Sequence, residues 1–405
     1  MHTINVVVTG DVDSGKSTLI GRLLFETGSL KQGTLESAQK ECGFSEKDFE
    51  FACLLDSFEE ERRDQMTLDT TEVFCNAGKG KRIVFIDVPG HRELLGNMVS
   101  GSSYADIAVL VIDAFTSLKE QTQRHAFILE FLRVRRIIAV LNKMDTVGFS
   151  EPVYTEVVRI VKEMADKIDA RVEAVIPVSA KHGDNLIKRS SRINWYKGRP
   201  LFSLLLGERQ TREDQGFCFA VQEIYPFGEE KMANGIILSG AVRPGAGVKI
   251  LPEGCLNTLT SIQTMDGPVR QACFPSCPAL MFKDMSFLKR GQIVVLEDCS
   301  LNGTSEFQAK IVFMRDYSGA QDDYRITVFN QTVKAGIYAL YGRWDTGNLE
   351  FSGRSENNSF SAYEAAEVLI KTDTPIFLDR SAGGGRFARF ILKKGEDIYA
   401  VGMLS

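Results

Sequence analysis

Histidine is scarce in this sequence. The four residues, His2, His91, His125 and His182, are too widely spaced to form a metal-ligand cluster. The eight cysteines are also dispersed. Only Cys273 and Cys277 lie close, and no second pair completes a zinc pattern, so reduced and mostly buried thiols are expected. No run approaches the ~18 apolar residues of a membrane helix. The N-terminus, MHTINVVVTG, runs straight into a strand and lacks the basic and long apolar segments of a signal peptide. A cytoplasmic location is therefore the default expectation, with no membrane partner. Neither charge sign dominates: the net charge is -5 and the isoelectric point about 5.6. That balance gives no overall bias toward nucleic acid, although a local basic patch stays open. Internal repeats and low-complexity tracts are absent.

The chain is ordinary in bulk composition. Its 405 residues favour two or three domains, and 44% hydrophobic with 25% charged residues fits a globular protein. In the first two hundred residues, apolar runs alternate with helical patterns. Ile4–Val8, Ile83–Ile86, Ile107–Ile112, Ile137–Leu141 and Ala174–Val178 read as strands. Lys16–Leu24, Glu120–Leu132 and Val153–Met164 read as helices. Nearly all-apolar strands separated by helices predict a mostly parallel sheet covered on both faces. Thr71–Ile86 carries a Gly-rich turn, AGKGK, and predicts a hairpin with one antiparallel edge strand. Gly28–Asp56 is polar and helix-prone, and reads as a helical insertion beside the site. A short helix near Leu201–Leu206 closes the domain, and GERQTREDQG reads as a linker. From Phe217 onward, short strand-like runs alternate with Gly/Pro turns, as two small β-barrels require. The expected domains are residues 1–207 (α/β P-loop), 215–300 and 304–405 (both β-barrel).

The chemistry concentrates in four loops. Gly10–Thr18, GDVDSGKST, fits G-x-x-x-x-G-K-[ST] with a strand before it and a helix after. Small residues let backbone N–H groups curl around phosphate oxygens. Lys16 brings a compact charge to the β and γ phosphates, Ser17 offers a hydroxyl to Mg²⁺, and the helix dipole favours the anion. DVPGH, Asp87–His91, follows a strand. The Asp87 carboxylate can hold Mg²⁺ through water, and the Gly90 N–H can touch a γ-phosphate. NKMD, Asn142–Asp145, supplies base choice. The Asp145 carboxylate can accept from N1–H and the 2-amine of guanine, and adenine has neither donor there. Ser179, Ala180 and Lys181 follow the next strand and can cap the base edge. Asn-Lys-x-Asp alone is a weak string. Four matches in order, each at the C-terminal end of an expected strand, point to GTP, because ligands bind there in open α/β sheets. His91 reads either as a loop histidine or as the group orienting the attacking water.

These motifs resemble the translation-factor GTPases, of which DVPGH with its final histidine is typical. Ser239–Gly254 (SGAVRPGAGVKILPEG) looks like the second-domain hairpin of those factors, and Lys289–Gly291 like the approach to a later strand of that barrel. Further strings are similar to one subfamily, the large GTPase subunit of bacterial sulfate adenylyltransferase. They are GKSTLIGRLL, LLDSFEEERRDQMTLD, EQTQRHAFI, NKMDTVGFSE, PVSAKHGDN, WYKGRPL and the terminal GGGRFARFILKKGEDIYAVGMLS.

The resemblance implies a GTPase subunit that binds GTP and Mg²⁺. Its partner is a small catalytic subunit that joins ATP and sulfate into adenylyl sulfate, and GTP hydrolysis pulls that unfavourable reaction forward. It implies that Asp13, Gly15, Lys16, Ser17 and Thr18 cradle phosphates. Ser14 belongs to the same loop. Thr67 matches a switch threonine on Mg²⁺, Asp87 stands behind the metal, and Val12 and Met66 match apolar gate residues flanking a catalytic His91. With no second P-loop, the adenylyl-sulfate kinase carried by some relatives is not expected. This chain reads Arg63-Asp64-Gln65-Met66-Thr67 where the family usually has Glu-Gln-Gly-Ile-Thr, and Ser14 where the subfamily usually has Asp. Those departures bear on switch geometry, since glycine permits backbone angles glutamine resists. Two other readings stand beside this one. The first is an elongation-factor-like GTPase delivering aminoacyl-tRNA, which the acidic balance disfavours. The second is a related GTPase serving another nucleotidyl-transfer pathway.

Overall fold

The computed structural model describes residues 2–30, 71–78, 80–87, 105–116, 120–131, 133–134, 136–207, 216–228, 230–274, 276–299, 303–317, 323–328, 331–353, 359–378 and 388–404. Contacts divide the chain into two compact units. One is Met1–Gly207 with Trp344–Ser352; the other is Glu208–Arg343 with Gly353–Ser405.

The first unit is built on a six-stranded sheet. In chain order its strands are β1 (His2–Gly10), β2 (Thr71–Asn76), β3 (Lys81–Asp87), β4 (Ile107–Asp113), β5 (Ile137–Asn142) and β6 (Val172–Pro177). They lie side by side in the order β2-β3-β1-β4-β5-β6. All neighbours are parallel except β2 and β3. Composition explains the layout. Every residue of β5, and Ile107–Ile112 of β4, is buried, as strands covered on both faces demand. β2 instead alternates: Val73 and Cys75 are buried, while Phe74 and Asn76 face outward. That period of two belongs to a half-covered edge. The hairpin between β2 and β3 closes at Gly78 and Gly80, both at positive φ.

Helices pack onto this sheet. α1 spans Lys16–Glu26, α2 Glu120–Phe131, α3 Glu151–Ile168 and α4 Leu201–Leu205. α3 shows the local logic. Val157, Val161, Met164 and Ala165 fall at helical spacing and are buried. Ser150 caps it from the preceding extended position, Pro152 sits in the first turn, and Asp169 ends it at φ 56. The sheet, α1 and the 186–206 segment share one core, including Val6, Leu19, Leu23, Phe85, Val109, Val140, Ile176 and Leu201.

The second unit is all β. Six strands close on themselves in the order Gly247–Leu251, Ile293–Leu296, Cys218–Phe227, Glu230–Ser239, Ala279–Phe282 and Cys255–Thr264. Their core draws only on residues of that segment, among them Phe217, Phe219, Val248, Leu259 and Phe282. A second closed set runs Arg325–Val328, Arg389–Lys394, Asp397–Leu404, Gly303–Phe313, Glu364–Phe377 and the strand that begins at Gln331. Phe313 stacks on Phe360 at 4.2 Å between ring centroids, and Phe390 meets Phe307 edge-on at 5.8 Å.

The fold is an α/β domain with a mostly parallel sheet, followed in the chain by barrels, as the sequence pattern predicts. Because the 217–296 barrel has a core of its own, we propose domain boundaries at 1–207, 215–300 and 304–405. Residues 31–70, which hold most of the expected helical insertion, and 208–215 of the expected linker lie outside the described residues. The cysteines depart from expectation. Among those described, Cys75 and Cys218 are buried, Cys255 and Cys299 are half-buried, and Cys273 and Cys277 are exposed. Short barrel strands point alternate residues outward, which leaves such side chains in water. No described helix is long and apolar enough to cross a membrane.

Candidate functional site

The C-terminal ends of β1, β3, β4 and β5 carry Gly10, Asp87, Asp113 and Asn142 respectively. After β1 the chain runs to β2 and β3 on one side, then crosses to β4, β5 and β6 on the other. This reversal opens a crevice at the strand ends, the usual ligand position in such sheets.

The loop from Gly10 to Gly15 is shaped by close approach. Gly10 has φ +155, and a Cβ there would stand 2.3 Å from the Val111 carbonyl oxygen. Gly15 has φ +87, and its Cβ would stand 2.4 Å from the Asn142 amide nitrogen. No larger residue fits either place without moving backbone or a buried amide. Asp13 takes φ 62 and is exposed. Ser14 is buried, and its hydroxyl donates to the Asp11 carbonyl at 2.8 Å. Lys16 folds back over the loop and donates from Nζ to the Gly10 and Asp11 carbonyls at 3.0 and 2.9 Å. Burial pushes the Lys16 ammonium below its ordinary range, against the pull of Asp87, Asp11 and Asp13. Ser17 and Thr18 occupy the first turn of α1, and Gly15 offers no side chain to cap it. Their backbone N–H groups, with that of Lys16, have no intrahelical acceptor and face an incoming anion.

Asn142 ties this loop to the next. Its side-chain amide donates to the Ser14 carbonyl at 2.9 Å, and its oxygen accepts from the Ala180 N–H at 3.0 Å. Asn142, Ser14, Ser179 and Ala180 are all buried. Lys143, at φ 62, forms an ion pair with Asp113 at 2.9 Å. The Asp145 carboxylate accepts from the Ser179 hydroxyl at 2.6 Å, and His182 stands 4.0 Å from its other oxygen. A carboxylate offers about four lone-pair sites, so the Ser179 bond leaves room for more donors. Lys181 is exposed at the same loop.

The structure thus brings Asp13, Ser14, Gly15, Lys16, Ser17, Thr18, Asp87, Asn142, Lys143, Asp145, Ser179, Ala180 and Lys181 to one edge of one sheet. Met66, Thr67, Gly90 and His91 lie outside the described residues. Sequence reasoning missed Asp113, although an aspartate closing an apolar strand is the same signal that singled out Asp87. It also missed the double role of the Asn142 amide, which depends on a contact between loops 128 residues apart.

A Mg²⁺ ion suits the donors available. Ser17 offers a hard oxygen ligand, as that ion prefers, and Asp87, which acts electrostatically on Lys16, could hold it through water.

The chain is similar to known proteins over most of its length. Residues 1–227 match the family described as the elongation factor Tu GTP binding domain. Sulfate adenylyltransferase subunit 1 of Aliarcobacter butzleri is 31% identical over 384 residues, covering 93% of this chain and 81% of that protein. The subunit 1 of Photobacterium profundum is 33% identical over 357 residues, covering 86% of this chain and 74% of that protein. Among solved structures, the S. cerevisiae Ski7 GTPase-like domain, bound to GDP and inorganic phosphate, superposes with a TM-score of 0.58. That likeness covers 100% of this chain and 97% of the other at 15% identity, and speaks for the fold alone.

Proposed function

This chain belongs to the sulfate adenylyltransferase subunit 1 family and carries the elongation factor Tu GTP-binding domain, and we propose that it is the GTP-hydrolysing subunit of such an enzyme. In this role it cleaves GTP with water to GDP and phosphate. That cleavage is coupled to a small partner subunit's joining of ATP and sulfate into adenylyl sulfate and pyrophosphate. The reading places the chain in the cytoplasm, where both nucleotides are plentiful.

The observation that carries it is the bond pair made by Asn142, which joins the phosphate loop to the loop beside Asp145. One pocket can then read a triphosphate and a guanine together. Asp145, steadied by Ser179, accepts from guanine N1–H and the 2-amine; an adenine nucleotide would leave that acceptor unpaired. Lys16 exchanges carbonyl partners for phosphate oxygens, and the N–H groups of Gly15 to Thr18 surround them. Lys143 and Asp113 fix the turn between β5 and Asp145. Mg²⁺, when bound, would be held by Ser17 and Thr67, with Asp87 behind, and would offset phosphate charge. His91 orients the attacking water, and Val12, exposed beside the loop, and Met66 flank it. Support for the sulfate reaction comes from the likeness to subunit 1 proteins running through both β regions rather than stopping at the nucleotide domain.

The test is co-expression with a small catalytic partner. GTP should drive adenylyl sulfate beyond the yield ATP and sulfate reach alone, and ATP with sulfate should accelerate GTP cleavage. Adenylyl sulfate synthesis indifferent to GTP would remove the proposed coupling.

A further inference from the structure

α1 does two things with one helix. Its first turn faces the phosphate site, and one and a half turns later Arg22 reaches across to the guanine loop. Arg22 Nη1 donates to the Lys181 carbonyl at 3.1 Å and Nη2 to the His182 carbonyl at 3.5 Å. Its Nε donates to Glu26 at 2.7 Å, and this ion pair fixes the guanidinium plane; both side chains are only 20% exposed. The loop lies hard against the pair. A Cβ on Gly183 would stand 2.2 Å from Glu26 Oε1 and 2.7 Å from Arg22 Nη2, and Gly183 has φ +80. The two carbonyls gripped belong to the turn that begins at Ser179, whose own carbonyl accepts from the N–H groups of His182, Gly183 and Asp184. Moving the grip therefore moves the residue that steadies Asp145.

We infer that Arg22, held by Glu26, is a positioning residue that latches the guanine loop onto the phosphate-binding helix and so sets how long the nucleotide stays bound. Arg22 grips backbone carbonyls of the loop rather than the side chains assigned to base or phosphate. It acts by keeping Ser179–Asp184 in the arrangement the base needs, and a contact that drew the guanidinium away would speed GDP release. The inference rests on the guanine-nucleotide reading of the site.

The experiment uses the full chain with a fluorescent GDP and Mg²⁺. Arg22→Ala should release GDP about tenfold faster, since charge-assisted hydrogen bonds are lost. Arg22→Lys, which keeps the charge but loses the planar fork, should fall between it and wild type. In the nucleotide-free protein, amide hydrogen exchange at residues 180–184 should quicken in Arg22→Ala, while β5 and α1 keep their protection. Gly183→Ala strains the loop itself at φ +80 as well as crowding the Arg22–Glu26 pair, so it should also speed GDP release. GDP release at the wild-type rate in Arg22→Ala, or unchanged exchange at 180–184, overturns the latch. Uniform loss of protection across the first unit would also overturn it, by showing a merely structural role. If wild-type protein binds no GDP, the guanine reading falls, and the exchange experiment still decides whether Arg22 holds the loop.

Discussion

Asn142 has one amide and uses both ends of it, which is why a polar side chain is tolerated at 2% exposure. Asp145 beside it is the residue on which base choice turns. Replacing it with asparagine presents an amide that can donate to a 2-oxo group. Asp145→Asn should weaken GTP by about a hundredfold and bind XTP better than GTP, because two charge-assisted bonds are lost. Competition binding with the two triphosphates reads this directly, and an unchanged GTP affinity would remove Asp145 from the base site. Lys16 makes a different prediction. Its ammonium is held below its ordinary range by burial, so between the folded pKa and 10.5 the unfolded chain binds more protons and stability rises with pH. Below that window the buried charge is a standing cost to the empty protein. Lys16→Met should therefore raise the thermal midpoint of nucleotide-free protein at neutral pH while abolishing stabilisation by GTP. A lower midpoint without nucleotide would mean that the carbonyl bonds of Lys16 outweigh its desolvation.

At the scale of elements, the sequence was legible where periodicity was strong. β1, β3, β4 and β5 are apolar runs because both faces are covered, and α3 repeats its buried residues at helical spacing. The phosphate loop was legible because its residue types and spacing fall within one short segment, whereas the close approaches that demand Gly10 and Gly15 come from Val111 and Asn142, far away in sequence. The barrels were harder. Gln331–Asp345 is a fifteen-residue strand whose inward positions are mostly only half-buried, so its apolar signal is weak, and Tyr341–Ala366 holds Gly, Ser and Asn without clear periodicity. The strand pairs with Arg325–Val328 across a short turn but also with Glu364–Phe377, most of which lies beyond that stretch. Gly402 illustrates a constraint invisible without its own opposing strand. It sits opposite Phe390, and an added Cβ would stand 2.0 Å from the fully buried ring. Gly402→Ala should cost about 1–3 kcal/mol through overpacking, measured by urea unfolding. Because Gly402 lies outside the nucleotide domain, GTP affinity should stay as it is. A variant as stable as wild type would show that the ring moves aside freely.

The whole molecule joins an α/β unit, whose loops converge on one sheet edge, to closed barrels with apolar centres. Family membership follows from a likeness that covers 93% of the chain, but the proposed nucleotide chemistry is concentrated at the strand ends of the first unit. Every functional inference depends on guanine being preferred there. The most direct test is isothermal titration of the purified full-length chain with GDP and with ADP, at equal Mg²⁺ and salt. The account predicts saturable GDP binding at least about a hundredfold tighter than ADP, because Asp145 has no donor to meet on adenine. Equal affinities, or tighter ADP, would contradict it.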